Sequence, residues 1–181
     1  MASGDSLILF TPHANEPVTL NYAPLDLRNG HVVLSFDAAT NESAVFSAVL
    51  PRNYAGGGIT VTLIWTAGAV ALFRGSLLPS APVITPLATG NVKWNAAFER
   101  HQVGVDDLDT DSFAAAQTTT GVAPATDGTT QYTSIVFTNG AQIDSLAVGE
   151  SFRVKVTRDA ADSGDTMTGD AQLISVELRE T

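Results

Sequence analysis

The chain has 181 residues, no cysteine and a formal net charge of −10, with 44% hydrophobic and 15% charged residues. The hydrophobic content excludes a disordered chain, because disorder goes with low hydrophobicity and high charge, and the lack of cysteine excludes disulfides and thiolate metal sites. Nine basic residues against nineteen acidic ones argue against nucleic acid or an anionic membrane as partner, since both are bound through clustered lysine and arginine.

Residues 1–30 are predicted to form an extended arm. Three prolines interrupt it, and proline has no N–H to give to a sheet. Its apolar run favours a short edge strand, and we expect these side chains to pack on a neighbouring subunit, with packing on the chain's own domain as the alternative: Leu7, Ile8, Leu9 and Phe10. The N-terminus lacks the basic region and long apolar run of a signal peptide, which indicates synthesis in a cytoplasm.

From His31 onward, short runs alternate apolar and polar residues. The clearest are Ile59–Trp65 and Val92–Phe98, in which every second side chain is hydrophobic. Because successive side chains of a strand point to opposite faces, the pattern predicts sheets with one buried and one solvated face, and it puts Trp65 and Trp94 in the core. The spacing of the runs predicts about eight or nine strands in one all-β antiparallel β-sandwich domain at 31–181.

The stretch 68–89 is a predicted loop insertion in that domain. It is apolar, interrupted by three prolines, and carries Arg74 as its one charge. A long apolar loop exposed on a monomer would be a liability, so we expect a partner subunit or an end of the sandwich to cover it. The side chains predicted at such an interface, with packing inside the chain as the alternative, are Leu72, Phe73, Leu77 and Leu78.

Two acidic loops, 103–111 and 159–170, are predicted to lie in water because crowded carboxylates repel one another. In the first, Asp107, Asp109 and Asp111 have the spacing of the first ligands of an EF-hand. The glycine and the bidentate glutamate of that motif are missing, so an EF-hand is excluded and a looser calcium site is a weak alternative to a solvated loop. We predict no metal and no cofactor.

No grouping of residues indicates catalysis. The three histidines are far apart in sequence, no G-x-S-x-G motif occurs, and Gly56–Gly58 lacks the Lys-Ser/Thr of a phosphate-binding loop. The chain is therefore predicted not to be an enzyme. Tyr54, in the glycine-rich connection at 51–58, is the aromatic residue that we expect to be exposed and able to stack on a ligand such as a sugar.

A further signal lies in five segments: Leu50–Gly58, Ala97–Arg100, Asp109–Phe113, Phe152–Asp159 and Gly169–Leu173. Together they resemble small β-sandwich proteins encoded among the virion genes of tailed bacteriophages. The resemblance covers roughly residues 30–180 and concerns architecture. It brings no catalytic motif with it.

The resemblance implies a jelly roll and a non-enzymatic role in the virion. One such role is that of a capsid decoration or cement protein, often a trimer, which clamps neighbouring major capsid proteins. The other is a receptor- or glycan-binding module of a tail or head fibre. The arm and the apolar loop favour the first role, because a clamp needs segments that reach its neighbours. We therefore expect a homotrimer in the virion, made in the host cytoplasm.

Overall fold

A computed structural model describes residues 4–68, 89–126 and 128–181. These residues form two antiparallel β-sheets, which confirms the predicted all-β sandwich. Short 3-10 turns lie at Pro12–Ala14 and Ala141–Ile143. The strands of the described residues are β1 (Ser6–Phe10), β2 (Leu25–Arg28), β3 (His31–Phe36), β4 (Glu42–Val49), β5 (Ile59–Ala67), β6 (Asn91–His101), β7 (Gln117–Val122), β8 (Gln131–Phe137), β9 (Ser151–Arg158) and β10 (Ala171–Glu180).

The two sheets differ in size. The larger has the order β2-β3-β10-β5-β8, and β1 also pairs with β10; the smaller has the order β4-β9-β6-β7. Along β10, residues 171–173 pair with β3 and residues 176–179 pair with β1, while β5 runs along the whole strand. The chain therefore crosses repeatedly between the sheets, and β10 lies within the larger one.

The inner faces of both sheets form one hydrophobic core. Trp65 from the larger sheet and Trp94 from the smaller are fully buried, and their rings meet edge to face with centroids 5.8 Å apart. Phe36 meets Trp94 in the same manner at 5.1 Å. The placement of both tryptophans confirms the prediction from alternation. The indole N–H of Trp65 donates to Thr133 Oγ1 at 2.9 Å, so this polar atom is satisfied in the core.

Gly121 lies in β7, where the core leaves no room for a side chain. A Cβ atom added there would lie 2.6 Å from Thr133 Oγ1, 3.0 Å from Trp65 Cζ2 and 3.3 Å from Trp94 Cδ1. The indole rings can therefore approach the backbone of β7 because this position has no side chain. The sequence alone did not reveal this requirement.

We expect Gly121→Ala to lower the free energy of unfolding by about 1–3 kcal/mol, because the added methyl overpacks the contact between the two tryptophans and Thr133. Gly57→Ala is the matched control, because the atom nearest to its added Cβ would be the carbonyl oxygen of Thr181 at 3.3 Å, which must move by only a few tenths of an ångström. Urea unfolding measures both. Equal losses in the two variants would contradict the account of Gly121.

The N-terminal segment lies along the sandwich in the described residues. β1 pairs with β10, and residues 15–23 run beside β4, the outer strand of the smaller sheet. There the N–H of Glu16 donates to the carbonyl of Val45, and the N–H of Ala23 donates to that of Ser43. This segment therefore occupies the free edge of β4. The division into an arm at 1–30 and a domain at 31–181 stays a prediction.

Candidate functional site

A cavity of about 450 Å³ lies on the outer face of the larger sheet. We call it the outer groove; it is lined by Arg28, Asn29, His31, Val33, Thr66, Gly128, Thr130 and Ile174. Arg28 reaches across it, and its Nη1 donates to the carbonyl of Ala67 at 2.6 Å and to Gln172 Oε1 at 2.8 Å. The hairpin of β2 and β3 thus forms one wall, and the residues before β8 form the other.

Tyr132 extends this surface along β8. Its neighbour Thr133 points inward to Trp65, so Tyr132 points outward, on the same side as Thr130 of the groove, and it is 67% exposed. An exposed aromatic ring beside a groove with hydroxyl and amide groups is suited to a polyhydroxylated ligand. Neither feature was predicted from the sequence, because the groove joins residues from four distant parts of the chain.

Tyr54 is not the exposed aromatic residue that the sequence predicted, and this expectation is wrong. The side chain is 5% exposed, and its hydroxyl donates to the carbonyl of Gly57. Glu180 Oε1 accepts the N–H of Ala55 at 2.9 Å and so holds the glycine-rich connection against the last strand, with Tyr54 beneath it. Burial raises the pKa of Tyr54, and the nearby Glu180 carboxylate raises it further.

The four predicted contact residues of the arm are in different environments. Phe10 is buried and stacks on Phe46 with ring centroids 5.2 Å apart, so its ring is used inside the chain. Leu7 and Ile8 are half-buried against the core, whereas Leu9 is 63% exposed and remains free for a partner. The other four predicted contact residues, Leu72, Phe73, Leu77 and Leu78, lie outside the described residues.

The first acidic loop does not bring its carboxylates together. Asp107 Oδ1 accepts the N–H of Asp109 at 3.0 Å in a local turn, and Asp111 forms an ion pair with Arg153. In the described ranges, no group of three or more His, Cys, Asp or Glu side chains is placed to hold a metal ion. The weak calcium alternative at Asp107, Asp109 and Asp111 therefore gains no support from the geometry.

Glu99 and Arg153 form an ion pair on the outer face of the smaller sheet. Glu99 is 2% exposed; its Oε2 accepts from Arg153 Nε at 2.7 Å, and its Oε1 accepts from Ser112 Oγ at 3.2 Å. Phe113 lies next to this pair, and the ammonium nitrogen of Lys155 is 4.0 Å from its ring centroid. The ion pair and the cation–π contact hold segment 111–113 on the sheet. The sequence did not reveal that Glu99 is buried on this face.

The second acidic loop contains a buried ion pair that the sequence did not reveal. Arg158 and Asp165 are almost fully buried, and Arg158 Nη2 lies 2.8 Å from Asp165 Oδ1. The remaining N–H groups of the guanidinium donate to Asp165 Oδ2 and to the carbonyls of Phe36, Met167 and Gly169, so all five donors are used. This arrangement fixes the loop 159–170 to the end of the sandwich. The prediction that the whole loop lies in water is therefore wrong.

Asp37, directly after β3, and Glu42, the first residue of β4, have opposite pKa shifts. Backbone N–H groups of Ala39 and Thr40 donate to Asp37 Oδ1 and lower the pKa of Asp37, although burial opposes this. Burial raises the pKa of Glu42, and the charges of Asp37 and Asp170 raise it further, against a hydrogen bond from the Asp37 N–H. The environment therefore disfavours the anion of Glu42 and favours that of Asp37.

The opposite pKa shifts predict that isosteric amide substitutions of the two residues change the free energy of unfolding in opposite directions. A raised carboxyl pKa means that ionised Glu42 costs stability at neutral pH, so Glu42→Gln should raise the free energy of unfolding there. A lowered pKa means that ionised Asp37 stabilises the fold, so Asp37→Asn should reduce it. Both differences should shrink as the pH is lowered, that of Glu42 by about pH 3 and that of Asp37 only as the pH falls through the lowered pKa of its carboxyl in the folded state. Urea unfolding at neutral and at acidic pH checks this, and changes of the same sign would contradict it.

None of the segments that the structure describes is a helix of the length and apolarity needed to cross a bilayer.

Similarity to known proteins is found among solved structures. No family model matches the chain, and no curated protein does. A cycloisomaltooligosaccharide glucanotransferase of Paenibacillus sp., complexed with cycloisomaltoheptaose, is similar at 12% identity and a TM-score of 0.41; the match covers 97% of this chain and 17% of the enzyme. TmCBM61, in complex with beta-1,4-galactotriose, is similar at 10% identity and a TM-score of 0.35, over 96% of this chain and 88% of that one. These similarities carry no inference about function.

Proposed function

We propose that the chain is a non-enzymatic structural protein of a phage virion, a jelly-roll decoration or cement protein that binds the outside of the capsid as a homotrimer. The observation that carries the proposal is the order of the strands. Jelly rolls, built from eight strands in two sheets, recur in viral capsid proteins and in lectin domains.

The eight strands from β3 to β10 support the jelly roll. Counted from first to eighth, they follow the order first, eighth, third, sixth in the larger sheet and second, seventh, fourth, fifth in the smaller. This is the order that results when a long hairpin is rolled up so that its strands alternate between two sheets. β1 and β2 are then additions from the N-terminal segment to the larger sheet.

The use of the buried ionisable groups supports a structural role. Arg158 pairs with Asp165, and Glu99 pairs with Arg153, each with further hydrogen bonds that fix a loop to a sheet. Such pairs stiffen the surface on which partners would bind. Leu9, exposed on β1, is the arm residue best placed for a contact with a neighbouring subunit.

Sedimentation with capsids tests the proposal. Purified chain is added to shells of the encoding phage from which it has been omitted, and to their unassembled major capsid protein. We expect binding to the shells and not to the free subunits, because a site split between subunits exists only after assembly. Leu9→Asn should weaken this binding, and Tyr132→Ala should leave it unchanged. Failure of the chain to sediment with intact shells would overturn the proposal.

The outer groove favours a second candidate, a receptor- or glycan-binding module of a tail or head fibre. Its hydroxyl and amide groups lie beside the exposed ring of Tyr132, on which the apolar face of a sugar could stack. A glycan array distinguishes the two candidates: Tyr132→Ala should abolish sugar binding if the groove is a glycan site, whereas Leu9→Asn should leave it intact.

A further inference from the structure

β2 is an outer strand of the larger sheet, with β3 as its neighbour on one side. The two strands are joined by the two-residue turn Asn29-Gly30, and Arg28 is paired with His31 and Asp26 with Val33. In such a hairpin the residues that flank the turn form a hydrogen-bonded pair, and hydrogen-bonded pairs recur at every second residue. The backbone groups of Leu25 and Leu27 therefore point away from β3, towards the free edge.

The side chains at this edge are apolar and exposed. Leu25 is paired with Leu34, which is buried on the inner face of the sheet, so Leu25 and Leu27 lie on that same face. They are nevertheless 56% and 67% exposed. Tyr22, shortly before β2, is also exposed. Surface of this kind on an edge strand is a ready template for another strand.

The outer edges of β2 and β4, on this side of the sandwich, differ in whether the chain's own backbone pairs with them. The edge of β4 is occupied by residues 15–23 through several backbone hydrogen bonds. At the edge of β2, Asp26 Oδ1 accepts the N–H of Leu27 at 2.7 Å, a contact that a strand partner can replace. Among the described residues, the chain thus covers the edge of β4 with its own backbone, whereas none of them pairs with the outer edge of β2 beside its exposed leucines.

We propose that two copies of this chain pair through β2, antiparallel and about a two-fold axis at Leu27, so that the two larger sheets become continuous. The proposal does not rest on the virion role, because it follows from the edge itself. It is also distinct from a trimer contact, since strand pairing of this kind is isologous.

The sequence of β2 is complementary to itself in this register. Leu27 faces Leu27 of the partner subunit, and Asp26 faces Arg28 of the partner subunit, so that each acid lies opposite a base. Arg28 keeps its Nη1 bonds to Ala67 and Gln172, and its charge still attracts the opposing carboxylate. Asp26 and Arg28 cancel locally, which matters for a chain of net charge −10 that repels its own copies elsewhere.

The expected contact is small. One short strand and a few side chains bury less than the ~1,200 Å² of a standard interface, so the pairing should be reversible in solution. It would gain strength where copies are already held close together. The proposed partner is a second copy and not an unrelated strand, because an antiparallel copy places its Arg28 opposite Asp26 and its Asp26 opposite Arg28.

Cysteine trapping tests the register. Because the chain has no native cysteine, an introduced cysteine is the one thiol that can form a disulfide. Leu27→Cys should form a disulfide-linked dimer under mild oxidation, because the two Cα atoms at this position would be roughly 5.5 Å apart. Leu25→Cys faces Asn29 of the partner subunit instead, and Val49→Cys is an exposed position on β4 of the smaller sheet. We expect the Leu27→Cys variant to cross-link at least roughly tenfold faster than either control, through its higher effective concentration.

A second variant tests the edge without cysteine. Leu27→Pro removes an N–H that points away from β3, so the hairpin keeps its ladder while the edge loses a donor. Light scattering at high concentration should show self-association of the wild type and of the control Val49→Thr on β4, with loss in Leu27→Pro. Equal cross-linking of all three cysteine variants, or unchanged association of Leu27→Pro, would overturn the pairing. A trimer whose Leu27→Cys variant fails to cross-link would overturn it while leaving the virion proposal standing.

Discussion

Arg158→Ala is expected to lower the free energy of unfolding by about 3–5 kcal/mol, the largest loss for any charged residue in the described chain. The substitution leaves the buried Asp165 carboxylate without its cation, and it removes the donors to the carbonyls of Phe36, Met167 and Gly169. Urea unfolding followed by tryptophan fluorescence measures the change, since both tryptophans lie in the core.

Two variants give this prediction its controls. Arg179→Ala breaks a partly exposed pair with Glu177 and should cost at most about 1 kcal/mol. Arg158→Met with Asp165→Leu removes both charges, so it should recover part of the loss. The recovery should be incomplete because the three carbonyls still lack donors. A loss in Arg158→Ala no larger than in Arg179→Ala would show that the buried pair does not fix the loop 159–170.

Trp94→Ala should also cost about 3–5 kcal/mol, because it opens a cavity where the two sheets meet. The indole contacts Phe36 and Trp65 edge to face, and Gly121 of β7 approaches it from the side. These neighbours belong to β3, β5 and β7, so the rigid sandwich cannot close the gap fully. The measurement is the unfolding midpoint and slope in urea.

Tyr132→Ala is the matched aromatic control for the core. Its ring is exposed, so the loss should lie within about 0.5 kcal/mol. If Trp94→Ala and Tyr132→Ala unfold at the same urea concentration, the proposed packing of the two sheets is contradicted.

The sequence predicted the long strands well, for a physical reason. β5, β6 and β9 each turn one face to the hydrophobic core, so hydrophobic residues recur at every second position, and this alternation is visible without a structure. β2 was missed because its leucines are exposed at an edge and the preceding prolines suggest an arm. The turn at Asn29-Gly30 was visible, but a turn signal alone does not say that both of its flanks are strands.

The candidate sites were less predictable because they depend on contacts between distant residues. Nothing near Arg158 distinguishes it from the other cations of β9, yet its position at the strand end brings it under a loop that supplies Asp165 and two carbonyls. Tyr54 was predicted to be exposed because it lies in a glycine-rich connection. In the structure, the Glu180 carboxylate accepts a hydrogen bond from the N–H of Ala55 and holds that connection against β10. Neither partner can be inferred from spacing.

The most direct test of the virion role is a cryo-electron microscopy map of the mature phage particle whose genome encodes the chain. A decoration protein should give density for a two-sheet sandwich at three-fold positions on the outside of the capsid, with β1 at the contact with neighbouring subunits. Density for the chain at the tip of a tail or head fibre, or particles that lack the chain altogether, would contradict it.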